Sequence, residues 1–558
     1  MGRKLAALVC GVGLLTATIA GCGPAGESGD GTGASASASA TSASSASTSP
    51  TPEPTPQALS WGPLQQEAEE AAEIVAGMSV SQQAGQVLMV HLPGATTLDP
   101  AVVTATHVGG LILMGDNIST AAQTKKLTQD FDTAARTASG HDVPALIGID
   151  QEGGLVQRYI PDDTPFPTAM AYGAIYAYDQ DRALQLAQEG YRRLGNQIRQ
   201  LGVTIDFAPD ADVTAGDQDP VIGARSFSGD PEAAAALSVA ASTGLTESGL
   251  LPVIKHFPGH GSVSTDSHYA LPVITKSPSQ LAEFDWIPFR KGIEAGIPAV
   301  MTGHLASADT PTVPATVKAE NYRQLKEEFG FDGLNVTDAM NMGAIVNSYG
   351  TGPATVAALT AGADLILMPG ETVTAHTAIV EAVAEGTLSK KRLRAAATKV
   401  VTVKLYQQRL AKQRPDTDEG TDADFIQTVF AEAITEISGN CVAAPVAGTA
   451  SSVIGADPQQ QQFLRAALTA AAKNESDPSA GGVALVGVDQ LSVDAGTTVT
   501  LNSPWPLAAS NAANKFALYG KGPAAMAALA DVLSGKEVAP GKLPVSVGKY
   551  PAGTGCTD

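Results

Sequence analysis

The stretch that decides the fold is PVIKHFPGHGSVSTDSH, residues 252–268. It opens as a short apolar run, Pro252–His256, that ends on Lys255 and His256. Pro258 and Gly259 then interrupt any regular element. A loop rich in Gly and Ser follows and carries His260, Asp266 and His268, so three of the chain's 8 histidines fall in one short segment. An apolar strand that closes on polar side chains suits a parallel sheet buried on both faces, whose strand ends open on one mouth.

Working outward, the same pattern recurs. Apolar runs occupy Gly85–Val90, Val108–Met114, Ala145–Asp150, Val203–Pro209, Ala299–His304, Leu334–Asp338 and Ala363–Met368. With Pro252–His256 they make eight. Helical stretches such as Asp181–Leu201, Pro231–Ser248 and Ala319–Phe329 lie between them. Strands alternating with helices predict an α/β protein built on a (β/α)8 TIM-type barrel, with a doubly wound open sheet as the alternative. Asp150, Asp210, Lys255 with His256, His304 and Asp338 all close predicted strands. In a barrel those ends converge at the catalytic mouth. One polar strand end could simply cap the next helix; five at successive ends argue for a site.

The barrel is expected over residues 61–413. After the helical stretch Ser389–Gln413 comes a charged linker, RPDTDEGTDAD, and then a smaller α/β C-terminal domain over residues 425–558, with runs at Gly482–Val488, Thr497–Leu501 and Phe516–Tyr519. At the other end, Arg3 and Lys4 precede the apolar run Leu5–Ile19 and the residues IAGC, which end at Cys22. A basic start, a short apolar core and small residues before a cut predict a secretory signal over 1–21. IAGC resembles a bacterial lipobox, which implies lipidation of Cys22. Residues 22–60, rich in Ser, Ala and Pro, cannot build a core and predict a disordered tether. The expectation is an exported protein, lipid-anchored to the outer face of the cell membrane. Of the 4 cysteines, Cys441 and Cys556 remain, and a disulfide between them suits an exported chain. A net charge of −22 excludes a nucleic-acid partner and adhesion to anionic lipid through surface charge.

The histidine loop admits two chemistries. His256 and His260 are four apart, but Pro258-Gly259 between them breaks the helix that would align two imidazoles on zinc. No metal or other cofactor is expected. Asp266 and His268 are two apart, so an extended segment turns both side chains the same way. A carboxylate beside an imidazole fixes its tautomer and strengthens it as a base. Such a pair can protonate a leaving oxygen and then activate water. Asp338, in GLNVTDAM, is an acid among apolar strand residues and a candidate nucleophile for two-step glycoside hydrolysis.

KHFPGHG with TDSH, VTDAM, IDQEGGLVQR and GARSF resembles glycoside hydrolase family 3, in its β-N-acetylglucosaminidase branch. MSVSQQAGQVLMV and GGLILMGDN resemble the family's opening strands, and GKLPVSV resembles part of its second domain. The resemblance implies Asp338 as nucleophile, His268 as acid/base and Asp266 as its orienting partner. It implies sugar binding by Asp150, Arg158, Arg225, Lys255 and His256, and leaves His260 without a role. The implied activity is exo-acting, retaining removal of N-acetylglucosamine from peptidoglycan-derived carbohydrate. Phosphorolysis, a β-glucosidase and a non-catalytic sugar-binding lipoprotein are the alternatives.

Overall fold

The computed structural model describes residues 57–414, 422–438, 441, 453–455, 457–471, 482–487 and 496–556. The expected signal segment, Cys22 and most of the tether lie outside the described residues.

Eight parallel strands form the central sheet: β1 (Leu88–Val90), β2 (Gly110–Leu113), β3 (Leu146–Ile149), β4 (Ile205–Asp206), β5 (Leu251–Phe257), β6 (Ala299–Thr302), β7 (Leu334–Thr337) and β8 (Ile366–Leu367). Each pairs with its neighbour in sequence, and β8 returns to β1. A bridge between Val336 and Leu365 joins β7 to the approach of β8 and closes the ring. The closed barrel therefore replaces the open-sheet alternative.

The two-residue period of the strands explains why such short runs suffice. Met89, Ile112, Leu146, Ile205, Val253, Met301, Val336 and Leu367 belong to one buried cluster. Leu88, Val90, Leu111, Leu113, Ile147 and Ile149, which alternate with the first of these, belong to another that includes the surrounding helices. The first cluster fills the barrel; the second glues the helices to its outside. Gly148 points inward, where a Cβ would come 2.8 Å from Phe207 and 2.9 Å from the sulfur of Met89. Trp61, Tyr406 and Leu410 join the inner cluster.

The helices start where short polar side chains can cap them. Thr120, Asp179, Asp230 and Ser389 accept backbone N–H groups at the starts of Ala121–Ser139, Gln180–Arg199, Pro231–Glu247 and Lys390–Lys412. Two strand ends differ from the reading of the sequence. β4 is only two residues long, and beyond it the chain rejoins β5 at a bridge between Asp210 and Lys255. β5 runs one residue past His256 to Phe257, and its register against β6 shifts between Ile254 and Phe257. Such irregularities re-aim side chains, and here the affected residues are Lys255 and His256.

Beyond the barrel a second sheet holds β9 (Thr435–Glu436), β10 (Val453–Gly455), β11 (Val483–Val486), β12 (Thr497–Thr500) and β13 (Asn514–Ala517). All pairs are parallel except β9 with β13. A disulfide joins Cys441 to Cys556, with Cα atoms 5.2 Å apart. This part is fastened to the barrel by backbone contacts. Thr168 donates N–H to the carbonyl of Tyr519 at 2.9 Å, Gly229 to that of Pro544 at 3.2 Å, and Lys542 to that of Ala174 at 3.1 Å. Arg182–Glu432 and Arg193–Asp422 add ion pairs at 2.6 and 2.9 Å. Among the described residues, no helix is long and apolar enough to cross a membrane.

Candidate active site

The C-terminal ends of the barrel strands surround a cavity of about 310 Å³. Asp150, Arg158, Arg225, Lys255, His256, His268 and Asp338 all line it. These residues come from five separate loops and strands, and the barrel is what gathers them. Asp266 does not line the cavity but backs His268, its Oδ1 lying 2.7 Å from His268 Nδ1.

The cationic side of the cavity is held by a carboxylate that the sequence reading passed over. Glu152 is 3% exposed. It accepts two hydrogen bonds from Arg225, Nε to Oε2 and NH2 to Oε1, each 2.8 Å. Lys255 Nζ lies 2.6 Å from Oε1 of the same carboxylate. Lys255 also donates to Asp150 at 3.1 Å, and Arg225 reaches Asp210 at 3.3 Å. Burial alone would raise the carboxyl of Glu152, but the charges of Arg225 and Lys255 prevail and hold it well below the usual range. Arg158 approaches Asp150 at 3.6 Å. The arrangement presents fixed donors and acceptors to vicinal hydroxyls.

His256 is fixed from behind. Its Nδ1 is 2.7 Å from Asp212 Oδ2, and its backbone N–H donates to the same oxygen at 3.2 Å. Asp212 Oδ1 accepts the His260 N–H at 2.6 Å. Burial lowers His256 to about 4, so the imidazole is neutral near pH 7. Nδ1–H donates to Asp212, and Nε2 remains an acceptor.

Asp210, Asp212 and His256 lie close enough together to suggest a cation site. Most of their ligand atoms already have partners. Both oxygens of Asp212 accept N–H groups, Asp210 Oδ1 accepts the Asp212 N–H at 2.9 Å, and the Arg225 guanidinium faces Asp210 Oδ2. A guanidinium at that point already supplies the positive charge an ion would bring.

Asp338 stands just past the end of β7. Its N–H donates to Thr302 O, and its Oδ1 accepts the Ala339 N–H at 2.7 Å. Burial would raise its carboxyl, but His304, His256, the Ala339 N–H and Lys255 together hold it down at about 2. The carboxylate is thus ionised throughout the neutral range. His304 and Asp210, expected at the mouth, do not line the cavity. His304 Nε2 donates to Ala339 O at 2.9 Å and its Nδ1 meets Thr316 at 2.6 Å.

The loop dyad is far more open: the side chains of His268 and Asp266 are 62% and 35% exposed. The loop is nonetheless seated. His268 O accepts the Gly343 N–H at 2.9 Å and Ser267 O accepts the Ala344 N–H at 3.2 Å. His260 is the buried post below it, its Nε2 3.1 Å from Ser267 Oγ. Burial lowers His260 to about 3, so it too is a neutral hydrogen-bonding group.

Residues 79–403 match the family described as glycosyl hydrolase family 3 N terminal domain. The chain belongs to glycosyl hydrolase family 3. It is 33% identical over 293 residues to beta-hexosaminidase A of Pseudoalteromonas piscicida, covering 49% of this chain and 48% of that one. It is 35% identical over 315 residues to the beta-hexosaminidase LpqI of Mycobacterium tuberculosis, covering 55% and 77%. The chain therefore spans about half the length of the first of these relatives and about three quarters of the second. The family 3 beta-N-acetylglucosaminidase of Paenibacillus sp. str. FPU-7 superposes with a TM-score of 0.74 at 28% identity, over 84% of this chain and 99% of that one. That likeness takes in the second sheet as well as the barrel.

Proposed function

We propose that this family 3 protein is an exo-acting, retaining β-N-acetylglucosaminidase that removes terminal N-acetylglucosamine from peptidoglycan-derived fragments. Asp338 is the nucleophile, ionised and held by the Ala339 N–H. It attacks the anomeric carbon and forms the glycosyl-enzyme while His268 protonates the departing oxygen. His268 then takes a proton from water, which attacks the same carbon and releases the sugar and Asp338. Asp266 accepts from Nδ1, holds the imidazole with Nε2 toward the substrate and stabilises its cationic form. Asp150, Arg158, Arg225, Lys255 and His256 hold the sugar. The boundaries read from the sequence serve as the domain plan: a signal over 1–21, a tether over 22–60, the catalytic barrel over 61–413 and a second domain over 425–558. Lipidation at Cys22 anchors the exported enzyme to the membrane.

The observation that carries the reading is the single cavity lined by both Asp338 and His268 with the buried Arg225–Glu152–Lys255 cluster. The names of the relatives support the substrate. The test is turnover of an aryl N-acetylglucosaminide and an aryl glucoside by the wild type, Asp338→Ala and His268→Ala, each with and without phosphate. Release of N-acetylglucosamine that depends on both residues is expected. Equal turnover of the glucoside, or a sugar 1-phosphate as product, would replace the substrate or the reaction named here.

A further inference from the structure

The loop that carries Asp266 and His268 leaves β5 at Phe257 and rejoins regular structure at the short strand Val273–Ile274. Its dyad is open to solvent, but its two ends are tied to each other. Ser262, before the dyad, and Lys276, after it, are 14 residues apart, yet Lys276 Nζ donates to Ser262 Oγ at 2.6 Å. Both side chains converge on Asp285. Ser262 Oγ donates to Asp285 Oδ1 at 2.9 Å, and Lys276 Nζ donates to Oδ2 at 2.6 Å. The Asp285 side chain is wholly buried and that of Lys276 is 27% exposed. Nothing in the reaction described above uses these three residues.

We propose that Asp285 is a positioning residue for the acid/base step: with Lys276 and Ser262 it forms a clasp at the neck of the loop, and the clasp sets where His268 stands relative to the departing oxygen. This rests on reading His268 as the acid/base. Three observations carry it. First, the clasp brackets the dyad. Asp266 and His268 both lie between its two arms, so the length and path of chain available to them are fixed by where Ser262 and Lys276 meet. The contacts are short and charge-assisted, the kind that hold geometry best.

Second, Asp285 is fixed to the strand that holds the sugar. It lies between the helices Pro278–Ala282 and Ile287–Glu294. Phe289, on the second of these, meets Phe257 edge to face with ring centroids 5.5 Å apart, and the Trp286 ring is 6.4 Å from Phe257. Phe257 follows Lys255 and His256 on β5. The loop is thus referred, through Asp285, to the same strand that presents the sugar-binding pair. Third, the chain is shaped to pass against Asp285. Gly259 has a φ of +122°, and a Cβ there would lie 2.6 Å from Asp285 Cβ. A side chain at this turn would push the loop off its anchor. On the other arm, Lys276 Nζ lies 4.1 Å from the centroid of the Phe284 ring, which narrows the places its ammonium can take.

The test is steady-state turnover of an aryl N-acetylglucosaminide by the full chain, with the clasp altered in two backgrounds. In the otherwise unaltered enzyme, Asp285→Asn should lower kcat about tenfold and Ser262→Ala about threefold, with KM held within about twofold. In His268→Ala the residual turnover no longer depends on where an imidazole stands, so neither clasp substitution should lower kcat further. A residue that only stabilised the barrel would cost the same factor in both backgrounds. Equal losses in the two would therefore overturn the proposal, as would a rise in KM without a fall in kcat, or no loss from either substitution. Ser262→Ala removes a single hydroxyl and decides the matter should Asp285→Asn not fold. An unaltered enzyme that fails to turn over the substrate would overturn the reading of the site itself, whereas turnover indifferent to the clasp would overturn the clasp alone.

Discussion

Residues 252–268 contain two regions of opposite character. Lys255 and His256 lie near the end of β5, are 2% and 6% exposed, and sit in a web of buried charge. Asp266 and His268 ride on a more open loop, where each hydrogen-bonds the other and the backbone carbonyls of the loop accept N–H groups from Gly343 and Ala344. The difference suits two tasks. Holding a sugar needs groups whose positions are settled before the ligand arrives, since ordering them afterwards would weaken binding. Moving a proton to a leaving group and then from water needs a group that can shift between two positions. Burial gives the first region rigidity at the cost of desolvated charge. Exposure gives the second its freedom.

The largest expected effect falls where the two regions meet. Asp338→Ala should lower kcat by about 10⁴-fold or more while leaving sugar binding mostly intact. Comparable losses of binding and turnover in steady-state and titration data would show Asp338 to belong with the buried web, and would break the division.

The loop pair comes next. His268→Ala should cost about 10²- to 10⁴-fold in kcat. Its pH profile is the sharper measurement. Asp338, at about 2, stays ionised and His256, at about 4, stays neutral between pH 5 and 8. A general acid must be protonated, so activity falls as pH rises past its titration. If His268 is that acid, the alkaline limb of kcat/KM should vanish in His268→Ala. A limb that survives points to Asp212, which burial pushes up to about 7 against the pull of the His260 and His256 N–H groups.

This division was only partly legible in the sequence. The eight strands were, because each is an apolar run, five of them closed by polar residues. Closure was expected from their number, with an open sheet as the alternative; the contact that decides it, Val336 with Leu365 across the ring, is tertiary. The residues expected to bind sugar stand together in the cavity, because their places at strand ends and in the loops that follow put them on one face of the barrel. Glu152 was passed over although it lies within DQEGG. Nothing local distinguishes it from Asp150, and its meaning comes from Arg225 and Lys255, which only the fold brings to it. His260 was left without a role for the same reason: its partner Ser267 is near in sequence, but the burial that makes the contact matter is tertiary.

Glu152→Gln probes the buried region directly. Breaking a buried pair leaves uncompensated charge, at a cost of about 3 kcal/mol. Here Arg225 and Lys255 would both lose their shared partner. KM should rise about 10- to 100-fold, more than kcat falls, with a lowered melting temperature. Asp266→Asn should do the reverse, lowering kcat with little change in KM or melting temperature. A drop in melting temperature alone, with KM unchanged, would make Glu152 a structural residue and leave Arg225 and Lys255 able to place themselves.

The smallest effect is expected at Gly343, where the open region touches the rigid one. A Cβ there would fall 2.6 Å from Tyr269 O and 2.8 Å from His268 O. Both atoms are backbone, so the clash cannot be relieved by turning a side chain; the loop must move away. Gly343→Ala would disturb the N–H bond to His268 O that seats the dyad, with the overpacking costing about 1–3 kcal/mol. Because the loop already has few contacts, the barrel should keep its melting temperature while kcat falls about tenfold through displacement of His268. Sugar affinity, measured in the Asp338→Ala background, should not change. If affinity falls with kcat, the loop is also part of the binding surface and the two regions are less separate than their exposure suggests. If neither changes, the loop reaches its working position without this seat, and the contact between His268 O and Gly343 belongs only to its resting state.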